Sequence, residues 1–249
     1  MAYDTGRDRG VRPSHRVLGT CPICLARCAE RATCCRGCGV ISRQLGAALV
    51  PVRPVGLARR GGTLHRLLVA YKAAPSDFVR RESTRRLALL LAGFLAGLGR
   101  GLGEGALHLV GVPSTGPGRR SWRGSHPLVG LVAAACAEAS DRAQRLEGIP
   151  ASAPACGLIV RGPGPLGHLR ASLDAYRAVA GPTREPVVGR VLVVDDLYVS
   201  GAHAQSAARA LSTAGFAVAA VVPIGRLVES DDERAREDDR RAAHVPSGR

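Results

Sequence analysis

The stretch VLVVDDLYVSGAH, at residues 191–203, constrains the fold more than any other part of the chain. It begins with four consecutive apolar residues, as is typical of a strand buried on both faces inside a parallel sheet. Asp195 and Asp196 follow directly, at the strand end where open α/β sheets place their ligands. After three more residues come a serine, a glycine and an amphipathic helix. The stretch therefore predicts a buried strand, a ligand-binding turn and a helix in that order.

The start of this helix has the features of a phosphate site. Ser200 is a suitable N-cap residue, and Gly201 lets the backbone approach a ligand closely. The free N–H groups of the first helical turn, together with the helix dipole, favour an anion. Gly215 is expected to end the helix. The apolar residues follow the helical spacing i, i+3, i+4 and i+7, at Ala204, Ala207, Ala208 and Leu211.

Paired carboxylates beside a phosphate site suit a phosphorylated sugar. The acids would bind hydroxyl groups, often together with Mg²⁺, and the amides would bind the phosphate. A bacterial receiver domain also has an Asp pair after an apolar strand, but too few residues follow Asp196 to complete such a sheet. A dinucleotide-binding fold would need GxGxxG where this chain has only Ser-Gly. The remaining alternative is an ordinary capped turn whose acids are solvated.

The basic residues outnumber the acidic ones by 35 to 20, which gives a formal net charge of +15. This excess favours anionic partners such as polyphosphates or nucleic acid, and it does not choose between them. The first 16 residues contain no apolar segment of the kind that secretory signals have. The longest apolar run, residues 87–98, is too short to span a bilayer. We therefore expect a cytoplasmic protein without membrane insertion.

Two CxxC motifs near the N-terminus predict a structural zinc site. In a cytoplasmic protein, cysteines at this spacing are more often metal ligands than disulfide partners. A redox or disulfide cluster is the alternative. Cys28 and Cys34 lie between the motifs and could replace one of the ligands. The predicted ligands are the four cysteines of the motifs themselves: Cys21, Cys24, Cys35 and Cys38.

The remaining patterns divide the chain into five segments. These are a disordered N-terminus at 1–19, a zinc ribbon at 20–45, a linker at 46–62, an α/β domain at 63–228 and a charged tail at 229–249. Helices are predicted at 63–73, 78–98, 127–146 and 168–180, and strands at 106–112, 156–160, 191–194 and 216–223. The alternation of strands and helices predicts a parallel sheet flanked by helices on both faces.

A loop rich in glycine and arginine follows the first of these strands. Its glycines allow close approach of the backbone, and its guanidinium groups match phosphate oxygens, so the loop suits pyrophosphate. An ordinary mobile loop in an arginine-rich protein is the alternative. The arginines are Arg119, Arg120 and Arg123.

The order of these features resembles the ComF family, the amidophosphoribosyltransferase-like proteins linked to DNA uptake. The resemblance covers residues 21–225. It includes the zinc ribbon, a helix ending in Tyr71-Lys72, a Val112-Pro113 strand exit, Arg123-Gly124, Arg161 after the second strand, and VVDDLYVSGA.

This resemblance implies a fold of the type I phosphoribosyltransferases, which bind 5-phosphoribosyl-1-pyrophosphate (PRPP) with Mg²⁺. It places Asp195 and Asp196 on the ribose hydroxyls and a loop from Ser114 to Arg123 on the pyrophosphate. The loop around the 5′-phosphate would comprise Val199, Ser200, Gly201, Ala202 and His203.

The chain departs from the family where the phosphate loop usually reads Thr-Thr-Gly-x-Thr. Val199 and His203 replace two hydroxyl donors. Purine phosphoribosyltransferases have an Asp general base at the position of Val199, and valine cannot move a proton, so no general base is assigned. The expected function is PRPP binding, with transfer of the phosphoribosyl group to an acceptor if the protein is an enzyme. The alternative is a non-catalytic adaptor in DNA uptake that binds PRPP or nucleic acid.

Overall fold

A parallel β-sheet with helices on both faces forms the centre of the described chain. The computed structural model describes residues 19–29, 32–99, 107–113, 127–145, 152–154, 158–179 and 189–228. The helices are α1 (Arg36–Leu45), α2 (Thr63–Ala73), α3 (Asp77–Gly99), α4 (Pro127–Arg145) and α5 (Ala202–Thr213). The strands are β1 (Gly56–Arg59), β2 (Leu107–Gly111), β3 (Ser152–Pro154), β4 (Ile159–Arg161), β5 (Tyr176–Ala178), β6 (Arg190–Tyr198) and β7 (Ala217–Val228).

The main sheet has five strands in the order β1-β7-β6-β2-β3, and every neighbouring pair is parallel. This confirms the predicted α/β class with a parallel sheet between helices. β6 lies at the centre of the sheet, as its apolar run predicted, and its four residues from Val191 to Val194 are fully buried. Because side chains alternate along a strand, this run contributes to the hydrophobic core on both faces of the sheet.

Two aliphatic cores cover the two faces. Leu192 and Val194 pack in the core formed with α2, α3 and α4. Val191 and Val193 pack in the core formed with α5 and the N-terminal cysteines. Among the described residues, no helix has both the length and the apolar character needed to cross a membrane.

The predicted elements at 63–73, 78–98, 106–112, 127–146 and 216–223 correspond to α2, α3, β2, α4 and β7. The ends of α2 agree with the prediction, and the largest difference among the others is that β7 continues to Val228. The segment 46–62, expected to be a linker, contains β1, which pairs with β7 from Gly56 opposite Gly225 onward. Residues 1–18 and 229–249 lie outside the described part of the chain.

The prediction of a helix at 168–180 is wrong. A single 3-10 turn, Leu173–Ala175, and strand β5 occupy this segment instead. The strand predicted at 156–160 belongs to β4, which pairs antiparallel with β5 in a separate two-stranded sheet and does not join the main one. Ala175 and Tyr176 are buried in this segment, and the pairing of β5 with β4, which no local pattern indicates, decides its structure.

Two glycines and an arginine explain why the chain folds back at this hairpin. A Cβ at Gly162 would lie 2.1 Å from the carbonyl oxygen of Asp174, so only glycine permits this approach. The guanidinium of Arg161 donates to the carbonyl oxygens of Gly162 at 2.8 Å and Gly164 at 2.6 Å. These bonds satisfy backbone acceptors that a short hairpin leaves unpaired.

A buried glutamine fastens the segment before β1 to α5. The side chain of Gln205 accepts from the Val50 N–H at 3.0 Å and donates to the Val50 carbonyl at 2.8 Å. It is 2% exposed, so both bonds form away from water.

We expect Gln205→Leu to lower the free energy of unfolding by about 2–3 kcal/mol, because it leaves both backbone groups of Val50 without their partner. Urea denaturation followed by circular dichroism measures this loss. Ser212→Ala, at an exposed position on the same helix, is the control and should change the value by less than about 0.5 kcal/mol. Equal values for the two variants would contradict this role of Gln205.

Candidate functional site

The two predicted carboxylates lie near the carboxyl end of β6, and Asp196 is buried against the end of α2. The Tyr71 hydroxyl donates to Asp196 Oδ2 at 2.5 Å. The Lys72 ammonium forms an ion pair with the same oxygen. Burying a carboxylate is costly unless it is paired and hydrogen-bonded, and α2 supplies both partners from adjacent positions.

Asp195 is held differently. Its Oδ1 accepts the backbone N–H of Asp196 at 2.9 Å. Burial first, and then the neighbouring charge of Asp196, raise the pKa of Asp195, while Lys72 partly opposes this shift. Two adjacent carboxylates with unequal partners therefore share the end of this strand, and additional positive charge or hydroxyl donors at Asp195 would stabilise its ionised form.

Tyr176 connects the segment after β2 to the first turn of α5. Its hydroxyl donates to the Pro113 carbonyl at 3.2 Å and lies 3.2 Å from His203 Nδ1. Burial, followed by the charge of Asp195, raises the pKa of Tyr176. Burial, followed by the charge of Arg161, lowers the pKa of His203; the charge of Asp196 opposes this shift and that of Lys72 adds to it. The structure thus brings the carboxylate pair and the start of α5 into one electrostatic environment.

The N-cap of α5 differs from the prediction. Gly201 is the cap residue, with a φ of 88°, and Ser200 precedes it. Ser200 Oγ accepts the Leu169 N–H at 3.4 Å and lies 3.5 Å from the Ala202 N. Its hydroxyl therefore links the loop to the neighbouring hairpin region, and Val199 beside it is exposed.

Tyr198 forms the floor of this loop. An added Cβ at Gly201 would lie 2.0 Å from the Tyr198 hydroxyl oxygen and 2.2 Å from its Cζ. The Tyr198 side chain is 1% exposed, and its hydroxyl has no hydrogen-bond partner among the described residues. Gly201 is thus required both for its backbone angle and because a tyrosine ring fills the space of a side chain.

A buried arginine joins this floor to the N-terminal cysteine segment. The Arg226 guanidinium lies 5.6 Å from the centroid of the Tyr198 ring. Its Nε donates to the Cys24 carbonyl at 3.0 Å. The loop at the start of α5 and the cysteine segment therefore share one buried contact through Arg226.

The four predicted cysteine ligands lie together. Their Sγ atoms are all within 4.8 Å of one another, and the Cys24 and Cys35 sulfurs are 3.6 Å apart. A tetrahedral zinc ion with Zn–S bonds of about 2.3 Å would place its sulfurs about 3.8 Å apart. The cluster could therefore hold a metal ion. Its members are Cys21, Cys24, Cys35 and Cys38.

Local backbone geometry brings these cysteines together. The Leu25 N–H donates to the Cys21 carbonyl at 2.9 Å, and Leu25 has a φ of 62°, so the first CxxC forms a tight turn. The second CxxC starts α1, where Cys35 is the N-cap and its Sγ accepts from the Cys38 N–H at 3.4 Å. The hydrogen bond with Cys35 is the main cause that raises the pKa of Cys24, to about 11. Crowded thiols of this kind favour a cation that stabilises their ionised forms.

Several predicted residues do not meet in this way. Cys28 and Cys34 are outside the cluster of four, although both lie in the same segment. The predicted pyrophosphate residues, Ser114, Arg119, Arg120 and Arg123, lie outside the described part of the chain. Conversely, sequence analysis did not assign Tyr176 or Tyr198 to the site. Tyr176 was missed because residues 168–180 were predicted to form a helix. Tyr198 lies within the stretch at 191–203 but was given no role there.

Comparison with known proteins finds no matching family model and no matching curated protein. Among solved structures, the fold is similar to a crystal structure of adenine phosphoribosyltransferase from Leishmania tarentolae. The alignment has 17% sequence identity, covers 81% of this chain and 89% of that chain, and gives a TM-score of 0.35. A TM-score this low does not support assigning a ligand or an activity.

We expect Gly201→Ala to destabilise the protein by about 2–4 kcal/mol, since it adds a steric conflict with Tyr198 to the strain of a positive φ. Gly215→Ala is the matched control. Gly215 has a φ of 90°, and nothing lies within 4 Å of an added Cβ, so the strain alone should cost about 1 kcal/mol. Thermal and urea unfolding of both variants compare these costs, and equal costs would mean that Tyr198 does not limit this position.

Proposed function

We propose that the carboxyl edge of the sheet binds PRPP together with Mg²⁺, in the manner of a type I phosphoribosyltransferase. One observation carries the proposal: the Tyr176 hydroxyl lies 3.2 Å from His203 Nδ1 in the first turn of α5, and both side chains lie close enough to the carboxylate pair for its charges to act on their pKa values. A phosphorylated sugar can engage both, because its hydroxyls suit carboxylates and its phosphate suits the free amides at a helix N-terminus.

The residues have distinct roles in this proposal. Asp195 and Asp196 bind the ribose hydroxyls, and their oxygens are the hard ligands that Mg²⁺ prefers. The backbone from Val199 to His203 binds the 5′-phosphate, which the dipole of α5 stabilises further. At neutral pH, the lowered pKa keeps the His203 side chain uncharged, so it adds a hydrogen-bonding group and no positive charge.

The reaction, if the protein transfers the phosphoribosyl group, is displacement of pyrophosphate at C1 of the ribose. Catalysis then depends on positioning and on electrostatic stabilisation of the leaving group, for which Arg119, Arg120 and Arg123 remain the predicted residues. Val199 cannot accept a proton, so the chain supplies no general base at that position. The acceptor would therefore attack C1 of the ribose without giving a proton to residue 199.

A non-catalytic adaptor that binds PRPP or nucleic acid is the second candidate, and the same valine favours it. Val199 is exposed at the phosphate loop, where it can neither move a proton nor donate a hydroxyl. The formal net charge of +15 is consistent with a nucleic acid partner in DNA uptake. We also propose that the protein belongs to the ComF family and that it is cytoplasmic.

We also propose that the four-cysteine cluster holds structural zinc. Four sulfur ligands with the spacing seen here fit a tetrahedral zinc ion. When bound, zinc would hold together the two CxxC turns of a segment that otherwise packs against the rest of the protein, as Ile41 and Leu45 do. Cys21, Cys24 and Cys38 are buried, as expected for a closed structural site rather than an open catalytic one.

The binding proposal predicts that calorimetric titration with PRPP and Mg²⁺ shows saturable binding to the wild type. Asp195→Asn should weaken that binding by at least about tenfold, because it removes a charged ligand for the hydroxyls and the metal. Glu138→Gln changes a half-buried carboxylate on α4 in the same way and should leave the affinity unchanged.

Absence of PRPP binding by the wild type would overturn the proposed function. Where binding is present, release of pyrophosphate with a panel of bases and amines identifies an enzyme. Binding of DNA that weakens steeply with salt, without such release, identifies the adaptor.

The zinc proposal predicts about one zinc ion per chain in freshly purified, reduced protein, measured by elemental analysis. Cys24→Ser should lose most of this metal and destabilise the protein, because it removes a buried ligand. Cys28→Ser is the matched control in the same segment and should retain the metal. A wild type with much less than one zinc ion, or metal loss from Cys28→Ser alone, would contradict the assignment.

A further inference from the structure

The chain contains a single lysine among its 35 Lys and Arg residues, and this lysine lies at the carboxylate pair. Elsewhere the chain uses arginine for its ion pairs, including exposed ones such as those of Arg85 and Arg86 with Glu82. A composition so strongly biased toward arginine makes the one exception informative. The one ammonium that a side chain supplies is therefore the cation that neutralises Asp196.

Lys72 lies at the centre of the candidate site. Its ammonium contacts Asp196 Oδ2, which the Tyr71 hydroxyl also contacts, and it lies 5.6 Å from the centroid of the Tyr71 ring. Its charge acts on both Asp195 and His203, which belong to the two halves of the site. The Lys72 side chain is 22% exposed, whereas that of Asp196 is 9% exposed, so the lysine is the more accessible partner of the pair.

The shape of an ammonium explains why arginine would not replace it. An ammonium carries three donors that point in different directions, so one can bind Asp196 while the others remain available. A guanidinium tends to bind both oxygens of a carboxylate with parallel N–H groups. At Asp196 that geometry would compete with the Tyr71 hydroxyl for Oδ2 and would occupy Oδ1 as well.

We propose that Lys72 is a ligand-binding residue whose ammonium bridges Asp196 and an anionic oxygen of a bound sugar phosphate. This inference rests on the proposed function, and it identifies the cation that links the carboxylate pair to the charged groups of the ligand. A role limited to neutralising Asp196 is the competing explanation. The two explanations differ in what happens to Lys72 when ligand binds. A bound ligand covers an ammonium that contacts it, whereas it need not cover an ammonium that only neutralises Asp196.

Acetylation of amines provides a direct test, because the chain offers only the α-amino group and Lys72. The wild-type protein, carrying no lysine-containing tag, is treated with an acetylating ester in the presence and absence of ligand. Mass spectrometry then measures the acetylation rate at each amine. PRPP with Mg²⁺ should slow acetylation of Lys72 at least fivefold and leave the α-amino group unaffected. Arg85→Lys supplies an exposed amine on α3 as a second internal reference, which ligand should not protect.

Two substitutions separate ligand binding from neutralisation. We expect Lys72→Arg and Lys72→Met both to weaken PRPP binding by about 10- to 100-fold in calorimetric titration, the range for loss of a charge-assisted hydrogen bond. Far-ultraviolet circular dichroism and zinc content should remain as in the wild type. Wild-type affinity in Lys72→Arg, or no protection of Lys72 by bound PRPP, would overturn the inference.

Pyrophosphate and inorganic phosphate are tested in the same acetylation assay. If the wild type does not bind PRPP but pyrophosphate or phosphate protects Lys72, the proposed function fails and Lys72 remains an anion-binding residue. If none of these probes protects Lys72, the inference fails regardless of whether PRPP binds.

Discussion

The cost of placing two carboxylates at the end of a buried strand governs the organisation of this protein. β6 lies in the middle of the sheet, and its apolar run is fully buried, so charges at its end have little access to water. The chain offsets this cost with one hydroxyl and one ammonium from the last turn of α2, both on Asp196 Oδ2. The position of α2 on the sheet is therefore tied to the charge of Asp196.

The same arrangement leaves the two acids unequal, and this asymmetry is useful for binding. Asp196 already has its internal partners, whereas burial and its neighbour's charge raise the pKa of Asp195. A ligand or cation that stabilises the ionised form of Asp195 gains binding energy from relief of that cost. In the proposed function, this raised pKa of Asp195 is the reason that a cation or a sugar hydroxyl would bind at the end of β6.

Sequence alone predicted the parts of the fold that depend on local patterns. The central strand and α5 follow from an apolar run and a regular helical spacing, and the cluster of four cysteines follows from two CxxC motifs. The prediction failed between 168 and 180, where pairing with β4 and the contacts of Arg161 decide the structure. β1 escaped notice because a four-residue strand gains its stability from its neighbour β7, which is distant in the sequence.

In the candidate site, too, local patterns predicted some residues and missed those that come from distant parts of the chain. The carboxylates and the glycine turn could be identified because they are contiguous, at residues 195–203. The groups that set their electrostatic environment come from elsewhere in the chain: Tyr71 and Lys72 are more than a hundred residues away, and Tyr176 approaches through the misassigned hairpin. Only the tertiary fold reveals such partners.

The contacts of Arg226 with the Cys24 carbonyl and the Tyr198 ring join two parts of the protein that are far apart in the sequence. A cysteine segment and the turn at the start of α5 contact the same side chain, so a change in the position of Arg226 affects both. If the cluster holds a metal ion and the turn binds a ligand, thermodynamic linkage would make the two affinities reciprocal, so that each would change the other by the same factor.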